Sequence, residues 1–104
     1  METLSPSFSK KGFLFNLVKR IGRIAIFKKT RLTTNKDDSY EVIIVQKHDG
    51  YFMAGTFIKA GECFPGNNDW GSKGWTYRIE DYDRAELKFN ELLIKEQNRK
   101  HGNP

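Results

Sequence analysis

The stretch Trp75–Lys100, "WTYRIEDYDRAELKFNELLIKEQNRK", contains the two consecutive elements that decide the fold class. Trp75, Tyr77 and Ile79 alternate with polar residues, which predicts a strand with one apolar side and one solvent-facing side. After Asp81 the apolar residues recur every three or four positions, which predicts an amphipathic helix. The apolar stripe of that helix consists of Ala85, Phe89, Leu92 and Leu93.

Two further strands are predicted upstream of this stretch. The run "YEVIIVQK" (40–47) is apolar on both faces, as a central strand is, and "YFMAGTFIKA" (51–60) follows it. Between the two runs, Asp49-Gly50 is a hairpin signal. A sheet and a helix that each have one apolar side bury those sides against each other. The sequence therefore predicts an α+β fold, with a small antiparallel sheet of three to four strands packed against a C-terminal helix.

The N-terminal third has a different character. Its apolar residues recur at helical spacing, so we expect a basic amphipathic segment with a helix near 11–21 and a strand near 23–28. With 104 residues the chain has room for one domain. The expected organisation is a flexible N-terminus (1–10), the basic amphipathic segment (11–36), a domain of β-hairpin, loop, strand and helix (37–98), and a tail (99–104).

The positive charge is concentrated in that same third. Residues 3–36 contain nine Lys or Arg and no acid, whereas residues 37–104 contain nine basic and twelve acidic residues. Clustered cations bind phosphate, and the interleaved phenylalanines are either base-stacking residues or core. The leading hypothesis is a small non-enzymatic basic protein that binds DNA or RNA mainly through phosphate, in a regulatory or accessory role. The expected contact residues are Lys10, Lys11, Lys19, Arg20, Arg23, Lys28, Lys29 and Arg31.

The loop "FPGNNDWGSKGW" (64–75) favours a second hypothesis. It is longer than a hairpin connection requires, and its turn residues surround Trp70, a residue type that often anchors interfaces. The chain would then be a protein-interaction module, an inhibitor or adaptor of bacterial or phage type. Its expected partner-binding residues are Phe64, Trp70 and Lys73.

A third hypothesis is association with a membrane surface through the basic amphipathic segment, because cations on one face of a helix and apolar residues on the other suit an anionic interface. The single cysteine, Cys63, excludes an intramolecular disulfide. Neither a secretory signal nor a spanning stretch is recognisable, so a cytoplasmic location is expected.

Catalytic chemistry is not indicated by the sequence. Cys63 with His48 is a conceivable nucleophile pair, but an inert thiol and a turn histidine are the simpler interpretation. Acids at the start of the last helix suit its dipole better than they suit a metal. We therefore predict no enzyme, no cofactor and no metal site.

One family resemblance arises at Trp70–Gly74, "WGSKG". With the paired strands before it, the strand after it and the helical "AELKFNELL", it resembles the WGR domain, a small module associated with DNA-break-responsive proteins. The resemblance covers about residues 39–97 and implies a DNA-associated role. Ser72 stands where that family has an arginine, so no DNA contact is carried over at this position.

Overall fold

The computed structural model describes residues 3–101 as nine strands followed by one α-helix, with short 3₁₀ helices at Asn67–Asp69 and Ile79–Asp81. Five strands form a single antiparallel sheet, in the spatial order Ser7–Lys10, Phe13–Ile21, Ile24–Arg31, Lys36–Ile44 and Gly74–Arg78, and four shorter strands pair outside it. The α+β class is confirmed, but the sheet has five strands rather than three to four. In chain order the elements are β1 Ser7–Lys10, β2 Phe13–Ile21, β3 Ile24–Arg31, β4 Lys36–Ile44, β5 Gln46–His48, β6 Tyr51–Met53, β7 Thr56–Ile58, β8 Gly61–Cys63, β9 Gly74–Arg78 and α1 Tyr82–His101.

The helix predicted near 11–21 is wrong, because these residues form strand β2. Phe13, Phe15 and Leu17 alternate along it and turn one side of the strand toward an apolar cluster. Other apolar residues occupy the second side, so the pattern satisfies a helical spacing as well as a strand. Gly12, at φ 86°, lies in the turn between β1 and β2, where the backbone needs the left-handed region.

The expected segment boundaries do not coincide with the observed elements. The N-terminus was expected to be loose over residues 1–10, whereas Ser7–Lys10 form the edge strand β1. The basic segment is not an amphipathic unit of its own: β2 and β3 pair with each other, and β3 pairs with β4. At the other end α1 runs to His101, so the expected tail is helical up to that residue. Residues 102–104 lie outside the described part of the chain.

A two-stranded arm, residues 46–63, separates β4 from β9. Its base is the pair β5–β8 and its tip is the pair β6–β7, joined by a two-residue turn at Ala54-Gly55. The predicted Asp49-Gly50 hairpin is therefore wrong, since these residues interrupt one side of the arm and the chain reverses at its tip. Arg20 holds the base, because its guanidinium donates to both carboxylate oxygens of Glu62 at 2.9 and 2.7 Å.

Apolar side chains cover both faces of the sheet. On one face α1 packs across the central strands, and on the other the N-terminal strands and the loop after the arm form an aromatic cluster. The residues buried between the sheet and α1 are Ile24, Ile26 and Val42 from the strands and Ala85, Phe89 and Leu92 from the helix. The residues buried on the helix-free face are Phe15, Ala25, Phe27, Ile43 and Val45.

Candidate functional site

A pocket of about 310 Å³ opens on the helix-free face of the sheet. Strands β1 to β4 and β9 provide its floor, and the loop between β8 and β9 provides a wall. It combines aromatic rings, lysines and one carboxylate. We refer to it as the aromatic pocket; its lining residues are Lys10, Lys11, Phe13, Phe15, Lys29, Glu41, Phe64, Pro65, Trp70 and Thr76.

Strand register explains why cations and rings alternate across the floor. In β1 and β2, Lys10 is paired with Phe13, and between β2 and β3 Phe15 is paired with Lys29. Directly paired residues place their side chains on the same face of the sheet. The Lys29 ammonium consequently lies 4.2 Å from the centre of the Phe13 ring, and the Arg31 guanidinium lies 4.9 Å from it. Such distances are typical of cation–π contacts.

The wall of the pocket is built by Phe64 and Trp70, whose ring centres are 5.9 Å apart. Phe64 also contacts the rings of Phe15 and Phe27, so the wall is continuous with the buried cluster. The Trp70 ring lies against the backbone of Gly74, where a side chain would clash with it. Trp70 remains 37% exposed: one part of its ring is packed, and another part faces the pocket and solvent.

A buried carboxylate lies in the floor of the pocket. Glu41 is 3% exposed, and its two oxygens accept hydrogen bonds from the hydroxyl groups of Ser39 and Thr76, the latter at 2.8 Å. Thr76 in turn accepts a hydrogen bond from the Trp70 indole N–H at 2.7 Å. Burial raises the pKa of Glu41, while these hydroxyl groups and the Lys29 charge oppose the shift. The floor and the wall are therefore linked through one threonine.

The pocket is electropositive at its rim. Within the described part of the chain, Lys10 and Lys11 form no ion pair, and both are exposed. Lys29 has a distant partner, Asp38, at 4.0 Å. An exposed lysine without a carboxylate partner retains its full attraction for an anion.

The other predicted cations are not among the lining residues of the pocket, although Arg31 contacts the Phe13 ring. Lys19 pairs with Glu86 of α1 at 2.8 Å, Arg20 with Glu62 of the arm at 2.7 Å, and Arg23 with Glu96 of α1 at 2.9 Å. In the hairpin of β3 and β4, the Lys28 ammonium lies 3.5 Å from the Asp37 carboxylate, and the Arg31 guanidinium lies 3.5 Å from the Asp38 carboxylate. The acid-free N-terminal third thus receives many of its counter-charges from acids that follow it in the chain.

The predicted partner-binding residues are divided in a similar way. Phe64 and Trp70 line the pocket, while Lys73 is exposed in the turn before β9. The sequence prediction missed Glu41 and Thr76 as pocket residues. A signal was available for Glu41, since it is the one charged residue within the apolar run "YEVIIV".

The remaining candidates for chemistry are less favourable. Cys63 has a raised pKa because of burial and the nearby Asp69, which opposes thiolate formation. No three metal-ligating side chains converge among residues 3–101. A second groove of about 480 Å³ beside the end of α1 has no aromatic lining, and it contains the Arg23–Glu96 pair. No helix in the described residues has the length and apolar character needed to cross a membrane.

Comparisons with known proteins give no relative: no family model, no curated protein and no solved structure matches the chain. The resemblance to the WGR domain is therefore limited to the residues quoted for it. In the structure the middle of "WGSKG" is a turn, closed by a hydrogen bond from the Gly71 N–H to the Gly74 carbonyl at 2.8 Å. Function is inferred below from the pocket.

Proposed function

We propose that this protein binds single-stranded nucleic acid at the aromatic pocket, without catalysis. The observation that carries the proposal is the joint presence of exposed ring surface at Trp70 and unpaired lysines at Lys10 and Lys11 around one pocket. Proteins that bind single strands combine these two features, because bases stack on aromatic rings and phosphates are attracted to cations.

The recessed position of the rings favours single strands over duplexes. Phe64 is half-buried, and Phe15 is only 6% exposed at the bottom of the pocket. A base reaches such rings only if it is unpaired and turned out of its stack. The lysines at the rim would then contact the phosphates on either side of that base. The role we propose is accessory or regulatory, in the cytoplasm.

A salt titration tests this proposal. Fluorescently labelled dT12 and rU12 are titrated with the protein at several salt concentrations, and binding is followed by anisotropy. The double variant Lys10→Gln/Lys11→Gln should bind more weakly, and because a single-strand phosphate contact contributes a slope of about −0.7 to log affinity against log salt, the slope should become shallower by about 1.4. The matched control is Arg84→Gln/Lys95→Gln, which removes the same charge from exposed positions on α1, across the sheet from the pocket.

The control variant separates a local from a global effect of charge. If both double variants lose affinity equally, only the net charge matters and the pocket is not the site. An absence of binding to either oligonucleotide at low salt removes the proposal.

A second candidate function is protein binding through the tip of the arm. Four large apolar side chains are exposed there: Tyr51 at 45%, Phe52 at 76%, Met53 at 55% and Phe57 at 52%. Within the described residues β6 and β7 pair only with each other, so both edges of the ribbon are open to another strand. The partner that we propose for this surface is a second copy of the chain.

Light scattering over a range of concentrations tests the second candidate. The wild type should form a dimer as concentration rises, and Phe52→Ser/Phe57→Ser should stay monomeric. The control is Leu87→Ser on α1, which is 69% exposed and removes apolar surface elsewhere. A wild type that is monomeric throughout contradicts this candidate. Membrane association through residues 11–36 stays a prediction, although the structure has strands there and not an amphipathic helix.

A further inference from the structure

The Glu41 carboxylate is the one feature of the aromatic pocket that phosphate binding and ring stacking do not require. A buried carboxylate carries a large desolvation cost unless hydrogen-bond donors surround it. Its two oxygens provide about four acceptor positions, and the hydroxyl groups of Ser39 and Thr76 occupy two of them. Acceptor capacity therefore remains on a side chain that lines the pocket.

The orientation of this carboxylate is fixed by its neighbours. Thr76 accepts the indole N–H of Trp70, which leaves its own hydroxyl proton to donate to Glu41. Ser39, two residues before Glu41 on the same strand β4, donates to the second oxygen of Glu41. Donors held on two sides leave the carboxylate little freedom to rotate, so it can act as a rigid acceptor for a ligand that stacks beside Trp70.

The charges around the carboxylate define the class of ligand. The Glu41 carboxylate and the aromatic rings would attract a cationic ligand. However, Lys10, Lys11 and Lys29 line the same pocket and would repel such a cation. The ligand that satisfies all the groups has a planar ring, an anionic group for the lysines, and adjacent N–H donors for the carboxylate. Among nucleotides, guanine presents two neighbouring donors on one edge, the N1–H and the 2-amino group.

The other bases match a carboxylate less well. Adenine and cytosine each present a single amino group beside ring-nitrogen acceptors. Uracil and thymine present one N–H between two carbonyl oxygens, and these oxygens would face the carboxylate with their lone pairs. We propose that the aromatic pocket selects guanine within a single strand, with Glu41 accepting hydrogen bonds from N1–H and the 2-amino group. This inference rests on the proposed single-strand binding.

The test compares labelled seven-nucleotide strands that differ at one base. The parent is dT7, and the central base is replaced by guanine, hypoxanthine, adenine or cytosine, all at one salt concentration. A good bidentate contact to a base edge discriminates against the wrong base by about tenfold or more, so the guanine strand should bind about tenfold more tightly than dT7. Hypoxanthine keeps the N1–H and lacks the 2-amino group, so its strand should bind with intermediate affinity.

The variant Glu41→Gln links the preference to the residue. The amide has the same shape as the carboxylate and has one acceptor and one donor group, so the ratio of guanine-strand affinity to dT7 affinity should fall to near unity. If this variant fails to fold, the order of affinities of the wild-type protein for the five strands still tests the guanine preference. Equal binding of all five strands overturns the guanine assignment and leaves single-strand binding intact. Failure of every strand to bind overturns both.

Discussion

The packing of Trp70 against Gly74 leads to a sharp prediction for the variant Gly74→Ala. A Cβ atom at this position would lie 2.7 Å from Cζ3 of the Trp70 ring and 2.9 Å from both Cε3 and Cη2. Gly74 lies at the start of β9 and is not among the residues with left-handed backbone, so alanine is compatible with its conformation. The three atoms nearest to the added methyl group all belong to Trp70, so the closest clash is with that ring.

The magnitude follows from the distances. The van der Waals contact distance between non-bonded carbons is about 3.5 Å or more, so the Trp70 ring has to move away by about 0.8 Å. The indole N–H to Thr76 distance is now 2.7 Å, and a retreat of that size weakens or breaks the hydrogen bond. We expect a loss of about 1–2 kcal/mol in the free energy of unfolding, for the hydrogen bond and some ring packing. Stacking on one aromatic ring contributes about 1–3 kcal/mol, so affinity for dT12 should fall about tenfold.

Two measurements on the same variant check the prediction, and a nearby glycine provides the control. Tryptophan emission should shift to longer wavelength as the Trp70 ring becomes more exposed, and anisotropy should report the weaker binding. Gly66→Ala changes the same loop, but its Cβ would meet only Asp69 Oδ2, at 3.8 Å, so emission, stability and affinity should stay near wild type. Unchanged emission in Gly74→Ala refutes the packing argument. Changed emission with unchanged affinity refutes the role of Trp70 in binding.

Two further predictions concern stability. The Arg20 guanidinium and the Leu4 N–H lower the pKa of Glu62 to about 2, so the ion pair contributes stability above the ordinary carboxyl pKa and loses it as pH falls toward 2. Glu62→Gln should lower the free energy of unfolding by about 1–2 kcal/mol at pH 7 and by almost nothing at pH 2. Urea unfolding of the wild type and the variant between pH 2 and pH 7 measures this difference. A difference in stability that does not change with pH would contradict the ion pair. Phe89→Ala should lower the free energy of unfolding by about 3–5 kcal/mol, since the Phe89 ring is 1% exposed and buried between α1 and the sheet. The control Leu87→Ala, at an exposed position on the same helix, should change the free energy of unfolding by less than about 0.5 kcal/mol. Similar losses for Phe89→Ala and Leu87→Ala would show that α1 does not pack on the sheet through the face that contains Phe89.

The C-terminal elements were predictable because each has one buried side. In β9 the residues Trp75 and Tyr77 pack toward the helix and alternate with polar neighbours, and α1 buries Phe89 within an apolar stripe. A single buried side imposes the period of the element on the sequence. Strand β2 was mistaken for a helix because apolar residues lie on both of its sides, and then the period is lost.

The charge pattern of the sequence predicted where the cations lie along the chain but not which of them form ion pairs. Net charge and its position along the chain can be counted, but the partner of each cation cannot. Arg23 meets Glu96 across 73 residues of sequence, and Lys19 meets Glu86 across 67. Such pairs form because the last helix packs on the N-terminal strands, which is a property of the folded chain.

The sequence by itself therefore determined the α+β class, the C-terminal strand and helix, and the concentration of positive charge in the first third. Only the tertiary structure decided which cations stay free and that Phe13, Phe64 and Trp70 line one pocket. It also decided that Thr76 meets Glu41, 35 residues away, because β4 and β9 are neighbours in the sheet. Local periodicity follows from burial of one side of an element, whereas a site depends on which strands pair, and pairing is chosen by the packing of the whole domain.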